Sequence, residues 1–105
     1  MTKVQYTRRG EIVRISIVGH ALFNPDNDPV CAAMSAFAYQ LLSCVAELEE
    51  EKLIYDVSYD VNDGFVIVQF DLVPEAEERW KITWSVIRHG IRNIAEAYPE
   101  NVTVD

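Results

Sequence analysis

The sequence predicts a two-layer α+β domain with a mostly antiparallel sheet and two helices, in the order ββαββα with a short last strand as an optional addition. Three observations favour this class. In two places, a tight turn joins two segments rich in β-branched residues, as in β-hairpins. Each pair precedes a long segment with helical periodicity. The chain has 105 residues, enough for one domain with its own core, so we expect a single domain over residues 1–105.

The first predicted hairpin joins residues 4–8 and 11–18 through a turn at Arg9-Gly10. In residues 11–18 the odd positions are mostly apolar and β-branched, which is the period-two pattern of a strand with one buried face. We therefore expect the odd-numbered side chains of this strand in the core.

The second predicted hairpin joins residues 53–60 and 65–73. Between them, Asn62-Asp63-Gly64 is typical of a tight hairpin turn, because glycine and asparagine tolerate the left-handed backbone that such turns need. Residues 65–73 are almost continuously apolar, which predicts a strand in the interior of the sheet.

The first helix is predicted to begin at Asp28-Pro29. Aspartate is a favoured N-cap residue, and proline fits the first helical position, where no amide donor is needed. The helix is apolar on every side for about four turns, and one sheet cannot cover all of these sides. A homodimer with helix against helix is the simplest way to cover them. The uncharged run over residues 29–46 contains four polar side chains, from which we expect no membrane span.

The second helix is predicted over residues 75–98, between two prolines. Its apolar residues recur at intervals of three and four, so they form one stripe that packs on a single surface. The stripe consists of Trp80, Trp84, Ile87, Ile91, Ile94 and Tyr98. We assign the two tryptophans to this core stripe rather than to a ligand platform. Residues 102–104 are the candidate last strand.

The charge of the chain argues against nucleic acid as a ligand. The formal net charge is −8. Residues 1–46 carry four basic and three acidic side chains, whereas residues 47–105 carry five and fourteen, so the excess negative charge lies in the second half. Such a surface repels phosphate backbones and anionic membranes and attracts basic proteins. We expect no nucleic-acid or membrane partner, and a basic protein as the favoured one.

Cysteine and histidine usage argues against a disulfide scaffold and a zinc site. There are two cysteines and two histidines, with none of the paired spacings typical of zinc ligands. His89 falls on the polar side of the second helix and is expected at the surface. Nothing at the N-terminus resembles a signal peptide. We therefore expect a cytoplasmic protein with free thiols that needs no metal or other cofactor.

His20 and Cys31 are the pair that points to chemistry. Gly19 lets the chain leave the strand sharply, with His20 directly after it. Cys31 falls at about the third position of the helix, where the positive end of the helix dipole favours a thiolate. An imidazole within reach takes the thiol proton and returns it to a leaving amine, and free amides at the helix end stabilise an oxyanion. The alternative is structural, with Cys31 as a small buried hydrophobe and His20 as an ordinary loop residue.

Three further residues lie on the same loop or helix as this pair. Asp28 is an N-cap of the helix, and its second oxygen would orient His20 if it reached the ring. Ser35 lies one turn after Cys31 on the same helix face and serves either a local hydrogen bond or a substrate contact. Cys44 lies about 220° further around the helix than Cys31, so we assign it to the core.

The residues around His20 and Cys31 resemble the signature of a known family. After Gly19-His20-Ala21 and a loop, the sequence continues with Asp28, Val30, Cys31, Ala32, Ala33, Ser35 and Ala36. This looks like the signature of the ribosomal-processing cysteine proteases of the Prp family. The overall length, the early hairpin, the alanine-rich helix and the acidic C-terminal half are also similar. The loop between His20 and Cys31 is slightly shorter than in the family, and Pro29 stands where the family has a branched aliphatic residue.

The resemblance implies a homodimeric cysteine endopeptidase with a catalytic dyad and no cofactor. Cys31 would be the nucleophile and His20 the general base, and the loop between them would be mobile over the site. The residues that the resemblance places in support of the dyad are Asp28, Ser35, Gly19 and Ala21.

The substrate that the resemblance implies is a large-subunit ribosomal protein precursor, from which a short apolar N-terminal extension is removed. Phage capsid and scaffold proteins with a similar cleavage sequence are the alternative substrates. From the residues alone, a non-catalytic dimeric binding or assembly module remains the alternative function, since it would equally explain the apolar helix and the acidic surface.

Overall fold

The computed structural model describes all residues 1–105. Five strands form one sheet, accompanied by two α-helices and one short 3-10 turn. In chain order the elements are β1 (Thr2–Arg9), β2 (Ile12–Val18), α1 (Pro29–Glu50), β3 (Ile54–Asn62), β4 (Phe65–Leu72), the 3-10 turn (Pro74–Ala76), α2 (Glu77–Ala97) and β5 (Val102–Val104). The predicted α+β class, the element order and both helices are confirmed.

The element boundaries differ from the predicted ones by a few residues. β1 begins at Thr2 rather than at residue 4, because β5 pairs with its first residues, Thr2 opposite Val102. α2 begins at Glu77 rather than at residue 75, since Pro74 starts the 3-10 turn. The candidate last strand is present and is the one parallel member of an otherwise antiparallel sheet.

The strand order β3-β4-β2-β1-β5 puts β2 at the centre of the sheet. β4 is interior as well, as its apolar sequence predicted. The core face of these two strands consists of opposite pairs, all buried: Val13 with Phe70, Ile15 with Val68, and Ile17 with Val66. The odd-numbered face of β2 is therefore the core face, as the alternation predicted.

Both helices pack on this one face of the sheet, so the fold has two layers. α1 contributes a single buried stripe, formed by Val30, Met34, Ala38, Leu41, Val45 and Leu48. Its opposite side is not covered within the chain. Ala32 and Ala36 are exposed there, and Tyr39 has 68% of its surface accessible. The uncovered apolar helix surface from which we expect a partner helix is thus present.

By length and composition α1 would be able to cross a membrane, because an 18-residue window within it has a mean hydropathy of 1.5. The four polar side chains of residues 29–46 are therefore too few to exclude a membrane-spanning helix by composition alone. The buried stripe packs one side of α1 on the sheet, whereas the apolar residues on its opposite side stay exposed.

α2 packs its predicted apolar stripe against the sheet, with Trp80, Trp84, Ile87 and Ile91 buried. The Trp80 indole Nε1–H donates to the Tyr6 hydroxyl at 3.1 Å. Tyr6 in turn stacks on Trp84, with ring centroids 5.3 Å apart. The two tryptophans belong to the core, as predicted, and the one buried polar atom of Trp80 has a partner.

Candidate active site

The end of β2 is shaped for the sharp exit that Gly19 predicted. Gly19 has φ +100°, a left-handed conformation that favours glycine, and a Cβ there would collide with the Met1 carbonyl. The Gly19 amide donates to the Gly64 carbonyl at 2.8 Å, and the Gly19 carbonyl accepts the Thr2 hydroxyl at 3.1 Å. His20 therefore leaves the sheet at a defined point, beside the turn between β3 and β4.

The segment between His20 and α1 is held at several points. Ala21 is buried, and its carbonyl accepts the Asn101 side-chain amide at 2.8 Å. Phe23 packs edge-on against Tyr98, with ring centroids 5.0 Å apart. Residues that follow α2, at the far end of the chain, thus anchor the segment that carries His20.

Asp28 caps α1, as predicted. Its Oδ1 accepts the Cys31 amide at 2.9 Å, and its Oδ2 accepts the Phe23 amide at 2.9 Å and the Asn24 amide at 3.4 Å. These hydrogen bonds, foremost the one from Cys31, hold the pKa of the Asp28 carboxyl below its usual value. No hydrogen bond or ion pair joins Asp28 to His20, so the structure does not have Asp28 orienting the imidazole.

Cys31 is the third residue of α1 and is half-buried. The amides expected from the sequence as oxyanion donors at this helix end are already engaged. The Cys31 amide donates to Asp28 Oδ1, and the Ala32 amide donates to the Asp28 carbonyl at 3.0 Å. The expectation of free donors is wrong for these two amides, because the N-cap uses them.

His20 and Cys31 line the same cleft, about 320 Å³ in volume, between the first turns of α1 and the β3–β4 turn. Gly19 and Ser35 line it as well, whereas Ala21 and Asp28 do not line it: Asp28 accepts the Cys31 amide, and Ala21 is held by Asn101. The apolar part of its wall comes from α1 and from three strands: Ile17, Met34, Ala38, Tyr39, Leu42, Val61, Phe65 and Val66. The arrangement places a thiol and an imidazole at the polar end of an apolar cleft.

Two residues beside His20 were missed by the sequence reasoning. Asp63 and Gly64 form the β3–β4 turn and line the cleft. Asp63 Oδ2 lies 4.0 Å from His20 Nε2, and this is the polar contact that the structure gives the imidazole. A Cβ on Gly64 would lie 2.6 Å from the same nitrogen. The sequence marked these residues only as a turn, because their proximity to His20 depends on the pairing of β2 with β4.

Cys44 and His89 lie outside this cleft. His89 is exposed, as expected, and its Nδ1 lies 2.6 Å from the Ser85 carbonyl. Cys44 was expected in the core but is only partly buried at the edge of the core, because α1 buries one stripe only. Partial burial raises the pKa of the Cys44 thiol. No group of three or more His, Cys, Asp or Glu side chains is arranged to hold a metal ion.

A larger cleft, about 690 Å³ in volume, lies between β1 and α2. Charged side chains line most of it, and Arg8 donates to both carboxylate oxygens of Glu77 there, at 2.7 and 2.8 Å. It contains His89 but no cysteine. The candidate site is therefore the smaller cleft, since only that one combines a thiol with an imidazole.

A thiol at the start of a helix and an imidazole on the same cleft are the parts of a cysteine hydrolase. The match to a family model agrees with this class. The model described as "Cysteine protease Prp" matches residues 1–103. The chain belongs to the Prp family and is a cysteine protease.

Solved structures show the same fold over the whole chain. The ribosomal processing protease Prp from S. aureus, in complex with a covalently linked product peptide, is 23% identical with a TM-score of 0.69, covering 100% of this chain and 98% of that chain. The same S. aureus protease in complex with a substrate peptide gives 16% identity and a TM-score of 0.66, with coverage of 100% and 98%. SMU.848 from Streptococcus mutans gives 24% identity and a TM-score of 0.66, with coverage of 100% and 92%. No curated protein sequence matches this chain.

Proposed function

We propose that this protein is an endopeptidase that removes a short N-terminal extension from a ribosomal protein precursor, with Cys31 as nucleophile and His20 as general base. The observation that carries the proposal is the shared cleft, in which these two side chains are the thiol and the imidazole. The S. aureus relative is a ribosomal processing protease with structures in complex with a substrate and a product peptide, which supports a peptide of this origin as the substrate.

The chemistry follows from the two side chains. His20 takes the proton of the Cys31 thiol while the sulfur attacks the carbonyl carbon of the scissile peptide bond. The tetrahedral intermediate collapses with cleavage of the C–N bond, and the imidazolium gives its proton to the leaving amine. The extension is then held as a thioester on Cys31. Water, deprotonated by His20, hydrolyses the thioester and restores the thiol.

The helix position of Cys31 assists this chemistry. The amide dipoles at the N-terminus of α1 favour negative charge on the sulfur and on the oxygen of the intermediate. Asp28 fixes the first turn through the Cys31 amide. Its carboxylate charge partly offsets the dipole, so the proposal assigns proton removal from the thiol to His20.

The wall of the cleft supports an apolar peptide segment as the group that binds beside the dyad. Met34, Leu42, Val61 and Phe65 are among the side chains that line it. Burial of an apolar side chain against such a wall stabilises the complex by about 25 cal/mol for each Å² removed from water. Ser35 lines the same wall and is available for a substrate contact.

The charge distribution supports a basic protein as the body of the substrate. The chain has a net charge of −8, with the acidic side chains concentrated after residue 46. An acidic surface attracts a basic domain over about 8–10 Å at physiological ionic strength. An apolar tail on a basic domain therefore fits the apolar cleft and the acidic flank together.

We propose a cytoplasmic homodimer as the working form, and the uncovered side of α1 supports the homodimer. Ala36 lies on this side, opposite the buried stripe, and is exposed. Ala36→Arg would put a charge into a helix-to-helix contact, and we expect it to shift the protein to a monomer in sedimentation experiments. A wild-type protein that sediments as a monomer would contradict the homodimer and leave the dyad proposal unaffected.

The proposal is tested by mass spectrometry of the extended ribosomal protein precursor after incubation with the protein. We expect one cut near the N-terminus with wild type, the same cut with Cys44→Ala, and none with Cys31→Ala. A cut that persists in Cys31→Ala would overturn the assignment of the nucleophile. If no cut occurs while Cys31 alkylates rapidly, the ribosomal substrate is wrong and a phage capsid protein is the substrate to test next. No cut together with an unreactive Cys31 would overturn the assignment of Cys31 as the nucleophile of this family member.

A further inference from the structure

We propose that the Asp63-Gly64 turn positions the imidazole of His20: Gly64 provides the space in which the ring lies, and Asp63 engages Nε2, which leaves Nδ1 to exchange a proton with Cys31. This inference rests on the proposed role of His20 as the base. Asp63 and Gly64 are positioning residues, since they act on His20 and not on the reacting atoms.

The ring of His20 lies directly against the backbone of Gly64. The atoms nearest to a Cβ built on Gly64 all belong to the His20 ring: Nε2 at 2.6 Å, Cε1 at 2.9 Å and Cδ2 at 3.0 Å. The ring therefore packs on the face of the Gly64 backbone where any other residue would carry a side chain. Gly64 also has φ +69°, which the turn requires and which glycine adopts without strain.

The turn is linked to the strand that precedes His20. The Gly19 amide donates to the Gly64 carbonyl at 2.8 Å, directly beyond the last pair of the β2–β4 ladder, Val18 opposite Phe65. A backbone hydrogen bond thus joins the residue before His20 to the residue under its ring. The turn is therefore tied to the backbone that carries His20.

The electrostatic environment of His20 in the cleft includes one carboxylate. The titratable side chains that line the cleft with His20 are Cys31, Tyr39 and Asp63. Asp63 is the only carboxylate among them, and its Oδ2 lies 4.0 Å from Nε2. The alternative carboxylate, Asp28, is engaged by backbone amides. A carboxylate beside one ring nitrogen favours the tautomer that has its proton on that nitrogen, as for histidines oriented by a carboxylate in general.

The strength of the Asp63 contact is limited by solvent. The side chains of His20 and Asp63 are 50% and 98% exposed. Exposed ion pairs of this kind correspond to about a twofold to fivefold change in an equilibrium or rate constant. Ring placement by Gly64 is expected to matter more, because displacement of a catalytic group by about 1 Å costs about 100-fold in rate.

The steric arm of the test compares Gly64→Ala with Gly10→Ala. Gly10 has nearly the same left-handed backbone, φ +62°, but a Cβ there meets nothing within 4 Å. Both variants carry the same backbone strain, and only one displaces His20. We expect kcat/KM to fall about 100-fold in Gly64→Ala, mainly through kcat, and to change less than about twofold in Gly10→Ala. Equal kcat/KM in the two folded variants would overturn the steric role.

The electrostatic arm uses Asp63→Asn, Asp63→Glu and a matched charge control, Asp60→Asn, on the same hairpin but outside the cleft. We expect kcat/KM to fall about twofold to fivefold in Asp63→Asn, to be largely restored in Asp63→Glu, and to stay unchanged in Asp60→Asn. The same loss in Asp60→Asn would show a general charge effect and overturn the assignment to Asp63.

A direct readout needs no substrate. The protein has two histidines, so ¹⁵N NMR of the imidazoles at about pH 8.5, where an ordinary imidazole is neutral, reports both tautomers. We expect the proton of His20 on Nε2, with a smaller fraction of this tautomer in Asp63→Asn. His89, whose Nδ1 faces the Ser85 carbonyl, serves as the unchanged reference. If His20 carries its proton on Nδ1, the inference is wrong even where proteolysis is confirmed. If the tautomer is as expected but no proteolysis occurs, the proposed function fails and the positioning stands.

Discussion

Asn101→Ala tests whether the residues after α2 hold the His20 segment in place. The Asn101 side-chain amide donates to the Ala21 carbonyl at 2.8 Å, and Ala21 is only 1% exposed. Removal of the donor therefore leaves a buried carbonyl without a partner. An unsatisfied buried acceptor costs about 1–3 kcal/mol in the free energy of unfolding. For a domain of this size the corresponding fall in Tm is about 4–15 °C.

Two assays separate stability from function in this variant. Thermal unfolding followed by circular dichroism measures the fall in Tm, and kcat/KM well below Tm measures the effect on the folded protein. We expect both to fall, because Ala21 directly follows His20. Asn93→Ala is the control, since Asn93 is an exposed asparagine of α2. If Asn101→Ala and Asn93→Ala had the same Tm and the same kcat/KM, the anchoring of the segment by Asn101 would be refuted.

Three further predictions concern the cap, the core and the thiols. The pKa of the Asp28 carboxyl in the folded protein is lowered from 3.8, so the cap stabilises the fold fully above that value and loses this effect as the pH falls through the folded pKa. In urea unfolding, the difference in the free energy of unfolding between wild type and Asp28→Asn should therefore shrink in acid. Leu41→Ala removes a fully buried side chain and should lower the free energy of unfolding by about 2–5 kcal/mol, whereas Gln40→Ala, on the exposed side, should change it by less than about 0.5 kcal/mol. At neutral pH, iodoacetamide should modify Cys31 well before Cys44, because Cys31 lines the cleft and burial raises the pKa of the Cys44 thiol. Equal rates for the two thiols in peptide mapping would contradict their assignment.

The parts of the fold that were predictable are those that local sequence determines. Alternation in β2 identified its core face, and Asp28-Pro29 identified the first residue of α1, because capping and strand periodicity depend on neighbours in sequence. The strand exit at Gly19 and the start of α1 also identified His20 and Cys31 as a candidate imidazole and thiol pair, and the resemblance to the Prp family then implied a catalytic dyad.

The parts that escaped prediction depend on contacts between distant segments. Nothing in the sequence connects Gly64 with the ring of His20, or Asn101 with Ala21, since both contacts arise only when the sheet has assembled. The engaged state of the Cys31 amide was missed for a different reason. Asp28, the N-cap residue that predicted the start of α1, accepts the hydrogen bond of the Cys31 amide, which was expected to be free for an oxyanion.

The central claim is that Cys31 attacks the substrate and that His20 activates it. The most direct test is rapid quenching of the reaction in acid, followed by peptide mapping of the protein by mass spectrometry. We expect the mass of the cleaved extension as a thioester on the peptide that contains Cys31, no adduct in Cys31→Ala, and acylation slowed by about 100- to 10,000-fold in His20→Ala. Acylation of His20→Ala at the wild-type rate, or product formation in Cys31→Ala, would contradict the account.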